Sequence, residues 1–591
     1  MIMLTPRCIR PCLCLVPIFI VCILGYHSQT PVRPLAHRWV YVAQNLLVDE
    51  NVPKVEEIMR RAAAVGYTGI VLADYKLNIL DRMDPRYFRN VEQVKSTAKS
   101  LRLEIIPCVF PIGYSNGLLA HDPNLIEAMP VKDAPFIVKN GKADLAQVGP
   151  PVPDFGGVEI SQNSGGVLNG GFETSRGDVA TGWGYQDDPG KVSFIDRNTK
   201  HSGSSSLRFG TPGAPQTATV NWRINQPVKL KSWRYYRMSF WIKTQDLDSP
   251  GSFNAPILIS GSAKPALAHL SYGVKPTQDW TLYQTIFNSQ ENSEALAYIG
   301  VWGARSGAYW VDDVKLEEIG LLNVVRRPGC PLVVKSVDGM VYEEGRDFQP
   351  VKDDRLGNVP YAGEFELFHP SPPIVLTENS RIKDGQKLRV SFYHAAFVLD
   401  MQAACCLTEP KVYELLRDQM QRVEKLFHPT AVMMSHDEIR VANWCALCQG
   451  QNKTPGQLLA ENARRCMQIV KSTSPQARIY TWNDMFDPFH NAHDNYYLVN
   501  GTWAGSWEGL TPEVGIVNWY FEPRKKNLPW FADRGHKQIL AGFYDNNADY
   551  TVQWLNDSAG IKGIDGVMYT TWRNDYSQLE KYAQTVWGGK R

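Results

Sequence analysis

The chain has 591 residues, enough for two or three hydrophobic cores. Its formal charge of +2 supplies no basic field, which argues against a nucleic-acid partner, while 44% hydrophobic and 21% charged residues are the proportions of a globular protein. The excess is aromatic: 17 Trp and 26 Tyr, residues that fill cores and also stack on the apolar faces of sugar rings.

Residues 1–30 stand apart. Arg7 and Arg10 precede an apolar run from Leu13 to Leu24, the pattern of a basic n-region followed by a short h-region. No small-x-small cleavage site follows, so a cleaved signal peptide and a retained membrane anchor are the two alternatives. Either predicts an exported protein, periplasmic, on the cell surface or extracellular. No second stretch is apolar enough to span a bilayer.

From residue 31 to 150 apolar runs alternate with amphipathic ones, with strands at 39–43, 69–73 and 103–109 and helices at 52–65 and 87–101. Continuous apolar strands separated by helices predict a parallel sheet covered by helices, here the first part of a (β/α)8 barrel. Residues 151–320 read differently: Gly, Ser and aromatic residues, short alternating strands and no convincing helix. Residues 321–387 read as a small β-rich extension. Barrel-like alternation resumes over 388–591, with strands at 388–394, 431–436, 478–482, 515–520, 538–544 and 566–572 and helices at 410–427 and 455–472. Thr454 and Pro455 form a helix-start signal. That makes nine candidate strands, one too many, and 388–394 is the one expected to be peripheral.

The insert carries ordered landmarks: Asn169-Gly170-Gly171-Phe172-Glu173, Trp183, His201-Ser202-Gly203, Tyr236 to Trp241, and Tyr309-Trp310-Val311-Asp312-Asp313-Val314. This pattern resembles the jelly-roll carbohydrate-binding modules attached to polysaccharide-degrading enzymes. The resemblance implies a β-sandwich.

Cys445-Ala-Leu-Cys448 has zinc or redox spacing without a second CxxC. A local disulfide, or pairing with Cys405, Cys406 or Cys466, is the expectation for an oxidising compartment, and neither a metal nor a cofactor is assigned.

In a (β/α) barrel the chemistry sits at the carboxyl ends of the strands. Those ends offer Asp74, His436, Asp437, Glu438, Arg440, Trp482, Asp484, Trp519, Tyr544, Asp545 and Trp572. Asp437-Glu438 is the strongest local signal. Consecutive strand side chains point to opposite faces, so both serve one pocket only if the chain turns there. The structural alternative is that Asp437 caps the next segment and Glu438 pairs with Arg440. Two close carboxyls among aromatics are what glycosidic cleavage requires, since one is then raised in pKa and holds a proton.

An adjacent Asp-Glu pair followed by Tyr480-Thr481-Trp482-Asn483-Asp484, Asn518-Trp519-Tyr520, Tyr544-Asp545 and Trp572 resembles the family 20 β-N-acetylhexosaminidases over about 200 residues. The resemblance implies substrate-assisted hydrolysis of N-acetylhexosamine-containing glycans. Glu438 would be the general acid and base, Asp437 the orienter of the acetamido group, Tyr544 its second hydrogen-bond partner, and the tryptophans the pocket walls. The chain departs from the family at Met433-Met434-Ser435-His436, where the family has His-x-Gly-Gly, and lacks an arginine within the first strand. The alternatives are a two-carboxylate glycosidase using Asp484 or Asp545 as the second group, and a non-catalytic carbohydrate-binding protein. An oligosaccharide or polysaccharide is the expected partner in each.

Overall fold

The computed structural model describes residues 35–146, 166–210, 220–259, 261–262, 264–399, 401–545 and 549–588. The leader-like segment lies outside them. Among the described residues no helix is long and apolar enough to cross a membrane.

Eight parallel strands close into a barrel: β1 (His37–Val42), β2 (Gly69–Leu72), β3 (Glu104–Val109), β4 (Ala431–Met434), β5 (Arg478–Trp482), β6 (Gly515–Asn518), β7 (Gln538–Leu540) and β8 (Ile564–Tyr569). β8 returns to β1 with His37 opposite Gly566. The strands are apolar on both faces because neither face meets water. Trp39, Val71, Met433 and Val517 fill the barrel interior. Their neighbours Val40, Ile70, Leu72, Val432 and Met434 point outward into the layer beneath the helices.

The longer helices are α1 (Asn51–Ala64), α2 (Pro85–Leu101), α3 (Pro410–Phe427), α4 (Pro455–Thr473), α5 (Arg524–Asp533), α6 (Tyr550–Asp557) and α7 (Leu579–Trp587). α1 buries Val52, Val55, Ile58 and Met59 on one stripe. α4 starts on a reciprocal capping box between Thr454 and Gln457, with Pro455 in the first turn. No α-helix joins β5 to β6. Residues 483–514 instead carry two 3₁₀ turns, Asp484–Phe486 and Ser506–Gly509, so strand–helix alternation lapses there.

The ninth candidate strand is accounted for. Lys387–Ala395 lies outside the barrel, antiparallel to Ala128–Lys139, in a six-stranded sheet completed by Lys142–Leu145, Val333–Ser336, Val341–Tyr342 and Ile374–Val375. This sheet thus takes in residues 128–145, which alternation alone had grouped with the barrel, because antiparallel partners outside the barrel claim their backbone hydrogen bonds.

The rest of the insert is a β-sandwich of two antiparallel sheets, one built on Tyr235–Gln245 and Ala308–Glu318, the other on Val220–Lys229 and Glu294–Ala304. Phe172, Phe209, Trp222, Phe240, Ile299 and Val311 fill its core. The landmark residues hold one corner of it. Asp312 Oδ2 accepts from the backbone N–H of His201 at 2.8 Å and of Ser202 at 3.2 Å, and His201 stacks on Trp241 with centroids 3.8 Å apart. Tyr235 and Ile286 of the sandwich enter the core of the six-stranded sheet, and Asn288 donates to the Pro130 carbonyl at 2.9 Å.

Candidate active site

A cavity of about 610 Å³ opens at the carboxyl ends of the barrel strands. Asp437 and Glu438 both line it, together with Tyr41, Asp74, Tyr75, Asn78, Tyr114, Ser435, Trp482, Trp519, Phe543 and Trp572.

The path of the chain after β4 explains how neighbouring acids share one cavity. Met434 points outward and Ser435 inward. His436 points outward again, fully buried, its Nε2 3.0 Å from Asn462 Oδ1 on α4. Asp437 points inward. Strict alternation would turn Glu438 away, but Glu438 adopts φ +47°, a left-handed conformation that re-aims its side chain into the same cavity. The backbone N–H of Glu438 donates to Asp484 Oδ2 at 2.8 Å, and Gln402 Nε2 donates to the Glu438 carbonyl at 2.9 Å and to the Gly113 carbonyl at 2.8 Å. The loop after β3 passes so close that a Cβ on Gly113 would lie 1.9 Å from the Asp437 carbonyl oxygen, so only glycine fits.

The Glu438 carboxylate is held at both oxygens. Tyr114 Oη donates to Oε2, and Arg440 Nη2 lies 2.7 Å from Oε1. The pairing with Arg440 weighed as a structural alternative is therefore present, and Glu438 lines the cavity all the same. Arg440 is itself buried, hydrogen-bonded through Nη1 to Gln402, with its guanidinium 5.1 Å from the Tyr497 ring centre.

The electrostatics of the floor are acidic and dry. Burial first, and the neighbouring Glu438 charge second, push the Asp437 carboxyl well above the ordinary carboxylate range. Asp484, with no exposed surface, is raised by burial and then by Asp437. Such mutually repelling groups titrate together and hold protons near neutral pH. Asp74 is raised to about 6 by burial, although Lys76 N and Leu46 N each donate to it at 3.0 Å.

The walls are aromatic. Trp572 lies at the rim, 46% exposed, with ring centroids 5.6 Å from Tyr41, 5.7 Å from Trp482 and 5.9 Å from Trp519. Apolar ring faces beside carboxylates and hydroxyls suit an amphipathic ligand such as a sugar.

Five of the residues expected at the site, His436, Arg440, Asp484, Tyr544 and Asp545, do not line the cavity, although Arg440 contacts Glu438. His436 is packed behind the barrel wall, as described. Tyr544 is 1% exposed and packs between Tyr569 and Tyr582, with centroid distances of 5.5 and 4.8 Å. The phase of β7 is the cause: Ile539 and Ala541 face the interior, so Phe543 reaches the cavity and Tyr544 faces out. Asp545 acts on the backbone, accepting from Trp572 N at 2.8 Å and Arg573 N at 3.2 Å, and so positions the Trp572 rim. Asp484 lies beneath the cavity floor and reaches it through the Glu438 N–H. Beyond β5, Asp487 is buried and accepts from Asn483 Nδ2 at 2.8 Å and Asn527 Nδ2 at 2.7 Å.

Tyr41, Tyr114 and Gln402 were not foreseen. Tyr41 was within reach of the sequence, two residues after the inward Trp39 on β1. Tyr114 lies beyond the last apolar residue of β3, and Gln402 comes from outside the barrel alternation.

No protein-family model matches the chain, and no curated protein matches it. Among solved structures, it is similar to a family 16 carbohydrate-binding module, at 18% identity over 26% of this chain and 98% of that one, with a TM-score of 0.19. A structure titled "CBM4 structure and function" is similar at 18% identity over 26% of this chain and 99% of that one, TM-score 0.19. The CBM22-1 xylan-binding domain from Paenibacillus barcinonensis Xyn10C is similar at 17% identity over 25% of this chain and 90% of that one, TM-score 0.19. At such values the likeness carries no argument about ligand, and the description of the sandwich rests on its strand pairing.

Proposed function

We propose that the barrel mouth is the active site of an exported glycoside hydrolase, with Asp437 and Glu438 as its catalytic carboxyls. One observation carries this reading: both acids enter a single aromatic-walled cavity at the end of a parallel barrel where enzymes of this architecture do their chemistry. Hydrolysis of a glycosidic bond needs a proton for the leaving oxygen and negative charge opposite the oxocarbenium-like centre, and this floor sets a carboxyl raised by burial beside one ion-paired with Arg440.

The family-20-like assignment makes Glu438 the acid, Asp437 the orienter of a 2-acetamido group, and the acetamido oxygen the nucleophile. With Tyr544 outside the cavity, the hydroxyls left for that role are those of Tyr41, Tyr75 and Tyr114, which line it. A second assignment is favoured by the ion pair at Glu438: Asp437, whose proton affinity is raised, gives the proton, and Glu438, paired with Arg440, faces the developing cation.

Aryl glycosides with and without a 2-acetamido group test the reading. Hydrolysis of an acetamido substrate, blocked by a thiazoline mimic of the cyclised intermediate, supports the substrate-assisted route. Glu438→Gln and Asp437→Asn should each abolish cleavage of poor leaving groups. The variant lacking the acid should recover on a highly activated aryl leaving group, because that bond needs no proton. Full activity of both variants on every substrate would end the proposal.

A further inference from the structure

Away from the cavity, three thiols and a carboxylate from three distant segments gather at one buried point. Cys445 and Cys448 begin and continue the short helix Ala446–Gln449 after β4, Cys406 precedes α3, and Glu127 comes just before the strand Ala128–Lys139. Cys406 Sγ lies 3.6 Å from Cys445 Sγ and 3.5 Å from Cys448 Sγ, and a Glu127 carboxylate oxygen completes a group whose four atoms all lie within 4.8 Å of one another. The expected disulfides are not formed: all seven described cysteines are free and buried, and these separations far exceed an S–S bond of about 2.05 Å. They approach the edge of about 3.8 Å in a tetrahedron of sulfurs around zinc at Zn–S distances of about 2.3 Å.

Two further features suit a thiolate centre. The Cys448 N–H points at Cys445 Sγ at 3.4 Å, a donor aimed at sulfur. Arg327, its side chain 4% exposed, lies within electrostatic reach of Cys406, Cys445 and Glu127, with its Nη1 3.6 Å from Glu409 Oε2. A buried cation there offsets part of the net negative charge of three thiolates and a carboxylate on a divalent ion. The Glu127 carboxylate divides its oxygens: Oε1 accepts from Trp444 N at 2.7 Å and Cys445 N at 3.1 Å, while Oε2 lies 3.8 Å from Cys448 Sγ. One oxygen orients the CxxC turn and the other faces the sulfurs.

We propose that Cys406, Cys445, Cys448 and Glu127 bind a structural zinc ion. Each thiol releases its proton to solvent as its Zn–S bond forms, and a closed shell of three sulfurs and one carboxylate oxygen leaves no position for substrate or water. The ion fastens the loop that carries Glu438 and Arg440 to the insert and to the start of α3.

The test is metal content of the full chain, produced with zinc and purified without chelator. Elemental analysis should return one zinc per chain. Cobalt exchanged into the site should give the visible absorption of a tetrahedral site of three thiolates and one oxygen. Cys445→Ser and Cys406→Ser should each lose the metal, while Cys466→Ser, a buried cysteine elsewhere, should keep it. Because the zinc content and cobalt spectrum are read on the wild-type chain, an unfolded variant does not decide the outcome. Metal well below one equivalent, or a disulfide among these three cysteines in non-reducing peptide mapping, overturns the proposal. A tetrathiolate cobalt spectrum that is lost in Cys330→Ser overturns the Glu127 set in favour of Cys330.

Discussion

The backbone N–H of Glu438 donates to the Asp484 carboxylate at 2.8 Å, tying the end of β4 to the end of β5. A residue in a left-handed conformation is thereby fixed by a buried acid from the next strand, with Gln402 holding its carbonyl from the other side. The direction of the Glu438 side chain is set by these contacts and not by its place in a strand.

Gly113→Ala should be among the most damaging single-methyl changes in the chain. The new Cβ would overlap the Asp437 carbonyl oxygen, so the β3 loop or the acidic turn must move. A loss of at least about 2–3 kcal/mol in denaturant unfolding is expected, together with loss of the proposed glycosidase activity. An unchanged melt would show that the two loops are not packed as described.

Tyr114→Phe removes the hydroxyl from Glu438 while leaving the ring in place. On the proposed function, kcat should fall about ten- to hundredfold, or about 1.4–2.7 kcal/mol, with little change in KM. A change confined to KM would make Tyr114 a binding residue only.

Trp572 and Asp545 should behave as one unit. Trp572→Ala removes a rim ring and should raise KM by about tenfold, roughly 1.4 kcal/mol of stacking. Asp545→Asn weakens the anchoring of the Trp572 and Arg573 N–H groups and should shift KM the same way by less. Independent, additive effects in the double variant would break the link.

Asp74 gives a pH dependence of stability whose sign follows from its raised pKa of about 6. Unfolded, the group titrates near 3.9. Between these values the folded state holds the proton and the unfolded state does not, so stability is highest below about pH 4 and is lost as pH rises to about 6. The loss for this group is at most about 3 kcal/mol. Asp74→Asn should flatten that part of the profile, measured by urea unfolding across pH 4–7. A slope of opposite sign would rule out a raised carboxyl.

Tyr544→Phe should leave activity and KM unchanged, since the ring packs against Tyr569 and Tyr582 behind the barrel wall. A modest loss of about 1 kcal/mol in stability is the expected effect of removing its buried hydroxyl. A large fall in kcat on acetamido substrates alone would return Tyr544 to the site.

Local pattern carried the sequence reading as far as local physics reaches. Apolar runs mark the barrel strands because both faces of each are buried, and stripes of period 3.6 mark α1 and α4 because one face is. The tryptophans Trp482 and Trp519 were legible as strand ends, and two-residue alternation counted from Ile539 places Phe543, not Tyr544, at the cavity.

What the sequence alone determined is the class of its parts: an alternating strand–helix barrel, a β-rich insert, and an acidic pair at a strand end. Tertiary structure alone decided which strand is excluded from the barrel, how Glu438 turns, and that Gln402, Glu127 and Cys406 meet residues far away in the chain. Periodicity reports whether a side chain is buried, since that depends on its own element. It does not report what lies across the interface, because that partner is chosen by chain crossings that leave no local mark.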